Sequence, residues 1–287
     1  MHVVMLLSAV NAAMLYRCAW RCIWQYSRRH ERQRGGWPLA AFLMPPLGLM
    51  TTAIAVALMG GEGQMVGLPA GHLGFLAAMV ALSVAAGLLV LRVVAARRAL
   101  AEVRSLPPIA LQGYQGYRLD TAIPFAAQVG LWNPELVVSQ GLIDALSPQH
   151  LNAVLVHEQA HAVHRDTFWF FGLGWLRQLT FWLPGTDALW QELLLRRELR
   201  ADRWAVQHVD SLLLAEALLT VVHYQAEAQP LLRSPSYAAF DADLPIERLE
   251  ERINALIDPQ PTAKSPHLPL WVIGAALTPI LTIFLHY

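Results

Sequence analysis

Ser147-Pro148-Gln149-His150-Leu151-Asn152-Ala153-Val154-Leu155-Val156-His157-Glu158-Gln159-Ala160-His161 opens with a serine that can cap a helix and a proline whose fixed φ suits a first helical turn. Leu151, Val154 and Leu155 recur at helical spacing, so a helix is expected from Pro148 to about Asp166. Residues four apart share a helix face, so the imidazoles of His157 and His161 can converge on one point, with Glu158 beside the first. Two histidines at that spacing around a glutamate can hold one zinc ion and leave a carboxylate free to take a proton from an attacking water.

Two ligands do not complete such a site, and the third is sought downstream. In Arg197-Glu198-Leu199-Arg200-Ala201-Asp202 the two acids stand one helical turn apart. Glu198 alone would read as a solvated acid among arginines. Beside the histidine pair it reads as the third zinc ligand, and Asp202 as the group that hydrogen-bonds the outer nitrogen of a ligating histidine and sets its tautomer. His164, His208 and His223 lack such company and read as surface or interface residues.

The rest of the chain points to lipid. Of 287 residues 55% are hydrophobic and 15% charged, and the mean hydropathy of +0.38 is too apolar for an ordinary soluble protein. Leu39 to Met59, Leu73 to Leu91 and Leu268 to Tyr287 each approach the twenty or so apolar residues that cross a bilayer. The run Val3 to Tyr16 continues to Trp24 and makes a fourth span, with Arg17 and Arg21 expected to snorkel toward an interface. Its positive charge follows the apolar run instead of preceding it, so signal-peptide cleavage is not expected. Pro45 and Pro46 should bend the second span. Cys18 and Cys22, one turn apart, read as small buried residues with neither a disulfide nor a metal role.

Short arginine-rich loops stay in the cytoplasm. Arg28, Arg29, Arg32 and Arg34 follow the first span, the loop from Gly60 to His72 has no Lys or Arg, and Arg92, Arg97, Arg98 and Arg104 follow the third. This places the N-terminus outside and the polar region from Ala95 to about His267 inside a bacterial plasma membrane. A net charge of zero, with basic residues in short clusters flanking apolar runs, argues against direct nucleic-acid binding.

The expected architecture is therefore a mainly α membrane protein of about four transmembrane helices carrying a cytoplasmic α+β zinc peptidase domain of gluzincin type. Residues 1–94 form the N-terminal membrane region, 95–258 the peptidase domain, and 259–287 the proline-rich linker (Pro259, Pro261, Pro266) and last span. Leu119 to Gly130 and Glu135 to Ser139 read as a hairpin about Trp132-Asn133-Pro134. The aromatic stretch at about 167–190 reads as a re-entrant or surface-lying hairpin, because a fifth crossing would strand Arg196, Arg197, Arg200 and Arg203 outside. One helix is expected from Gln191 to about Ala226 and another from Pro245 to Ile257, with Leu249, Ile253 and Leu256 on its inner face and its charges on the other.

Ala153 to His161 followed by Asp166, then Glu198 to Asp202, resembles the BlaR/MecR-type antirepressor metallopeptidases, the family of the beta-lactam-sensing receptors. So do Pro124-Phe125-Ala126 through Gly130-Leu131-Trp132-Asn133-Pro134-Glu135-Leu136-Val137-Val138, and Arg248-Leu249 through Arg252-Ile253 to Leu256. The resemblance covers roughly Leu119 to Pro259. It implies one Zn2+ held by His157, His161 and Glu198, Glu158 as catalytic base, and Asp202 and Asp166 supporting the ligands. Val163-His164 departs from the basic residues usual there, and with the fourth span reaching Tyr287 no penicillin-binding sensor domain is expected.

The resemblance further implies peptide hydrolysis of a protein substrate at the bilayer, a BlaI-type transcriptional repressor or the enzyme itself. An extended substrate could pair with a strand edge in the Ala127 to Ser139 region. Arg165, His164, His208 and Tyr117 are candidates by type for stabilising the oxyanion. Two rival readings are an HtpX-like membrane quality-control peptidase and a non-catalytic zinc-binding subunit for signalling or assembly.

Overall fold

The computed structural model describes residues 1–27, 37–62, 64–65, 68–69, 71–228, 247–258 and 270–285. The loop arginines Arg28, Arg29, Arg32 and Arg34, the start at Pro245 of the helix expected to run to Ile257, and the prolines Pro259, Pro261 and Pro266 lie outside them. The chain divides into two compact units: residues 1–90, 174–193 and 262–287 form one, and residues 91–173 and 194–261 the other.

The first unit holds α1 (His2–Ser27), α2 (Trp37–Met59), a pair of two-residue strands β1 (Gln64–Met65) and β2 (Leu68–Pro69), and most of α3 (His72–Arg104). Stretches of α1, α2 and α3 are long and apolar enough to cross a bilayer, making the chain a membrane-embedded protein. The expected last span is represented by α10 (Leu270–Leu281) and a 3-10 turn over Thr282–Leu285, a shorter apolar segment. Thr51 ties α2 to α10, its Oγ1 donating to the carbonyl of Ala276 at 2.6 Å. Helix α2 stays continuous through Pro45 and Pro46. Arg21 is exposed, whereas Arg17 does not snorkel but is fully enclosed against Phe42. Cys18 and Cys22 are exposed on α1, not buried, as suits a lipid-facing turn.

The second unit is built on a four-stranded sheet of β3 (Pro108–Leu111), β4 (Tyr114–Leu119), β5 (Ala126–Val129) and β6 (Glu135–Ser139), in the order β3-β4-β6-β5. The hairpin β5–β6 is antiparallel, with Ala127 opposite Val137, and Trp132-Asn133-Pro134 lies in its connection. β3 and β4 form a second hairpin whose two turn residues, Gln112 and Gly113, have φ of 50° and 90°, which suits a tight turn between twisted strands. β4 then pairs in parallel with β6, Tyr117 beside Val137. β6 is thus flanked on both sides, and of the expected substrate edge only β5 remains open to another strand.

Ser139 ends β6 and caps the short α4 (Gln140–Ala145), its Oγ accepting from the amide of Leu142 at 3.0 Å. Ser147 then caps α5 (Pro148–Val163) by accepting from the amide of His150, with Pro148 in the first turn. α5 stops three residues before Asp166, because Arg165 takes φ of 54° and turns the chain into α6 (Asp166–Leu179). The buried side of α5 packs through Leu151, Val154 and Leu155 onto Leu136, Val138 and Leu142. Through Ala153 and Val156 it packs against Ala205, Leu214 and Leu256.

The aromatic stretch is two helices, α6 and α7 (Thr186–Ala205), joined by a tight turn closed by Thr186 Oγ1, which donates to Thr180 O at 2.8 Å. Residues 174–193 of this pair belong to the first unit, where Trp175 Nε1 donates to Ala85 O of α3 at 2.9 Å and the ring of Trp190 lies 6.1 Å from that of Phe42. The single helix expected from Gln191 to Ala226 is instead α7 and α8 (Ser211–Ala228). Asp210 separates them: its Oδ1 accepts from the amides of Leu212 and Leu213 and starts a new helix. α9 (Glu247–Ile257) packs on α8, with Leu256 buried and Ile253 beside it.

Candidate active site

All the site residues proposed from the sequence lie in the second unit and are enclosed: His157, Glu158, His161, Asp166, Glu198 and Asp202 are each 9% exposed or less. α5 supplies His157, Glu158 and His161, α7 supplies Glu198 and Asp202, and Asp166 stands at the start of α6. The Nε2 atoms of His157 and His161 are 3.2 Å apart. Glu198 Oε2 is 3.3 Å from His157 Nε2, and its Oε1 is 3.7 Å from His161 Nε2.

The outer nitrogens point at carboxylates. His161 Nδ1 is 2.8 Å from Asp166 Oδ2. His157 Nδ1 is 2.9 Å from Asp202 Oδ1, off the direct line of a hydrogen bond. Asp166 also pairs with Arg200, and Arg197 Nε donates to Glu198 Oε1 at 2.8 Å. When both imidazoles carry their proton on Nδ1, each turns an Nε2 lone pair toward the other and toward the Glu198 carboxylate. Three electron-pair donors then face one buried point, an arrangement that calls for a cation.

Zinc suits the donor set. One ligand atom from each of His157, His161 and Glu198 lies within 4.8 Å of the others, so the three could hold an ion. Bonds of about 2.0–2.1 Å in tetrahedral geometry separate ligand atoms by roughly 3.3 Å, close to the spacings found here. Borderline-soft imidazole nitrogens with one carboxylate are a zinc-type set, unlike the all-oxygen sets of calcium or magnesium.

The electrostatics follow from the same crowding. Burial works to lower the pKa of His157 and His161, but acidic neighbours outweigh it. Contacts with Asp202 and Glu198 raise His157, and Glu198, Asp166 and Glu158 raise His161 to about 9. Burial works to raise Glu198, yet Arg197, His161 and Arg252 hold it well below the usual carboxylate range. Asp202 is likewise lowered against burial by Arg252 and His157. Glu158 goes the other way: burial pushes its carboxyl up, and the neighbouring histidines only partly offset this.

Arg252 is the site residue that sequence reasoning did not assign. The amphipathic pattern of α9 puts it on the solvated face, but it is buried, donating from Nε and Nη2 to the two oxygens of Asp202 at 2.8 and 2.7 Å. Its Nη1 stands 3.4 Å from Glu198 Oε2. The signal that could have found it is its helical spacing, one turn ahead of buried Leu256 and beside Ile253.

Each of the four candidates for the oxyanion has a contact of its own. Tyr117 packs with Ala99, Val103 and Val137, His208 stacks on Trp204, and Arg165 lies over the ring of Trp132 at 4.6 Å. His164 Nδ1 contacts Ala160 O at 2.7 Å.

Comparison with known proteins agrees with this chemistry. Residues 118–264, a little over half of the chain, match the profile of peptidase family M48, and the stretch includes every site residue named above. The chain belongs to peptidase family M48. That makes it a metallopeptidase of a family that typically uses zinc. The match names this family and not the BlaR/MecR type that parts of the sequence resemble. No curated protein and no solved structure shows significant similarity to the chain.

Proposed function

We infer that this protein is an integral-membrane zinc metalloendopeptidase that hydrolyses peptide bonds in a cytoplasmic or membrane-proximal protein. The observation that carries the reading is the enclosed cluster of His157, His161 and Glu198, with the buried carboxylate of Glu158 next to it in sequence on α5. When bound by those three residues, zinc supplies Lewis acidity to the scissile carbonyl and to the attacking water.

Glu158 does the proton work. Its carboxylate accepts a proton from the attacking water as oxygen adds to the carbonyl carbon, then passes that proton to the departing amine as the C–N bond breaks. A carboxylate whose pKa is raised by burial is, once ionised, a stronger base than an exposed one. Asp166 and Asp202 hold the two imidazoles in place, and Arg252 and Arg200 hold those acids. The open edge of β5 can accept an extended substrate strand, which would align its backbone beside α5.

The arginine distribution supports a cytoplasmic address for the site, with the N-terminus outside. Regulated proteolysis is the role we favour, with a BlaI-type repressor or the enzyme itself as substrate, on the resemblance of Pro124 to Val138 and Glu198 to Asp202.

The test is wild type against Glu158→Gln, scored for zinc content and for cleavage of a repressor, of the enzyme and of an unfolded membrane protein. The reading expects zinc retained and cleavage reduced about 100- to 10,000-fold in the variant. Unchanged processing by Glu158→Gln overturns it. Cleavage confined to the unfolded membrane protein would place the enzyme in quality control instead.

A further inference from the structure

Arg17 lies in the apolar α1 and is 0% exposed. Its Nη2 donates to the carbonyl of Phe42 in α2 at 3.4 Å, a long bond, and its Cζ stands 5.7 Å from the centre of the Phe42 ring. That carbonyl is available because Pro46, four residues on, has no N–H to offer it. Among the described residues Nε and Nη1 have no hydrogen-bond partner and no carboxylate pairs with this guanidinium. Most of its five N–H donors are unused.

A guanidinium keeps its charge near neutral pH, and burying one uncompensated in an apolar bundle is strongly unfavourable. Arg252 shows how this chain treats the same problem in the second unit, where the buried guanidinium grips both oxygens of Asp202. One carbonyl and one aromatic face do not do this for Arg17, so among the described residues its surroundings lack an anion. Its depth limits which anion can reach it. Arg17 stands five residues before Cys22, where the apolar stretch of α1 ends, and Phe42 stands five residues after Trp37, where α2 begins. At 1.5 Å per residue both lie about 7 Å along the helix from those boundaries, within reach of the headgroup layer.

We propose that Arg17 is the anchor of a phosphate-binding site between α1 and α2, filled by the phosphodiester of an anionic phospholipid. Phosphate oxygens accept several N–H donors from one guanidinium. The membrane offers that group at the loop side of both helices, and free inorganic phosphate carries the same chemistry from the solvent. The site is independent of the peptidase centre.

The full chain is purified, stripped of loosely held lipid, and compared by native mass spectrometry and thermal unfolding in phosphatidylcholine nanodiscs with and without phosphatidylglycerol. The wild type should retain a phosphatidylglycerol adduct and unfold at a higher temperature when that lipid is present. Arg17→Met should lose both effects, Arg17→Lys should weaken them, and Arg21→Met, which removes an exposed charge from the same helix, should keep them. A matching shift from inorganic phosphate added to detergent-solubilised wild type, absent in Arg17→Met, would support the site with free phosphate as its ligand. Equal shifts in wild type and Arg17→Met, or equal losses in Arg17→Met and Arg21→Met, overturn the proposal. A wild type with no phosphate-bearing adduct and no shift from either probe overturns it too, even if Arg17→Met fails to fold.

Discussion

Arg252 grips both oxygens of Asp202, at 2.7 and 2.8 Å, from a helix fifty residues further along the chain. Asp202 in turn lies 2.9 Å from Nδ1 of His157, and Arg252 Nη1 lies 3.4 Å from Glu198 Oε2, so α9 reaches the candidate zinc ligands both through Asp202 and directly. Breaking a buried ion pair leaves its other half charged and unpaired, which costs about 3–5 kcal/mol. Arg252→Met is therefore expected to destabilise the protein by that amount and to weaken zinc binding roughly 10- to 100-fold. Denaturant unfolding and competition with a zinc chelator measure the two effects. Arg252→Lys should recover only part, because an ammonium cannot make the paired contact. Wild-type zinc affinity in Arg252→Met would show that α9 has no hold on the site.

Asp166 plays the corresponding part for His161, with Nδ1 at 2.8 Å and Arg200 on its other oxygen. Asp166→Ala removes the group that fixes the imidazole's tautomer and orientation. Zinc affinity should fall about 10- to 100-fold while the chain still folds. Equilibrium zinc titration followed by circular dichroism of the same sample tests both halves of this expectation.

Raised histidine pKa values make the metal-free protein sensitive to alkali. His161 rises from its ordinary 6.5 to about 9 because Glu198, Asp166 and Glu158 surround its charged form. A pKa raised on folding contributes stability that is complete below 6.5 and lost as pH climbs through about 9. Zinc competes with the same proton, so zinc affinity should move in the opposite sense and strengthen over that window. Unfolding temperatures of chelated protein, measured beside zinc titrations from neutral to alkaline pH, should show the two trends diverging. A flat stability profile would mean that the acids do not act on His161 in the free enzyme.

Gly141, at the junction of β6 and α4, donates from its amide to Thr121 O at 2.8 Å. A Cβ at this position would overlap the backbone carbonyl of Ala122, so neither side can yield cheaply. Gly141→Ala should cost about 1–3 kcal/mol, read from the denaturation midpoint. Gly172 in α6 is the internal control. Apart from its chain neighbours and its own helix backbone, no heavy atom lies within 4 Å of the site its Cβ would take, and Gly172→Ala should be neutral or stabilise by up to about 1 kcal/mol. Equal losses from the two substitutions would contradict the close approach at Ala122.

What the sequence determined by itself is what is local. Apolar runs of bilayer length, the Ser147-Pro148 start of α5 and the one-turn spacing of His157 and His161 all depend on residues a few positions apart, where helix geometry alone sets the relation. Glu198 with Asp202 was legible for the same reason, as two acids one turn apart on one helix. The break between α7 and α8 was hidden because Asp210 interrupts an otherwise helical pattern with a single cap. The parallel pairing of β4 with β6 joins strands separated by the whole of β5, and such pairing leaves no periodic trace in either strand. Arg252 shows the limit most sharply. An amphipathic helix assigns its charges to water, and only the packing of α9 on α8 brings this one to Asp202, where burial is offset by a carboxylate that no local pattern could have named.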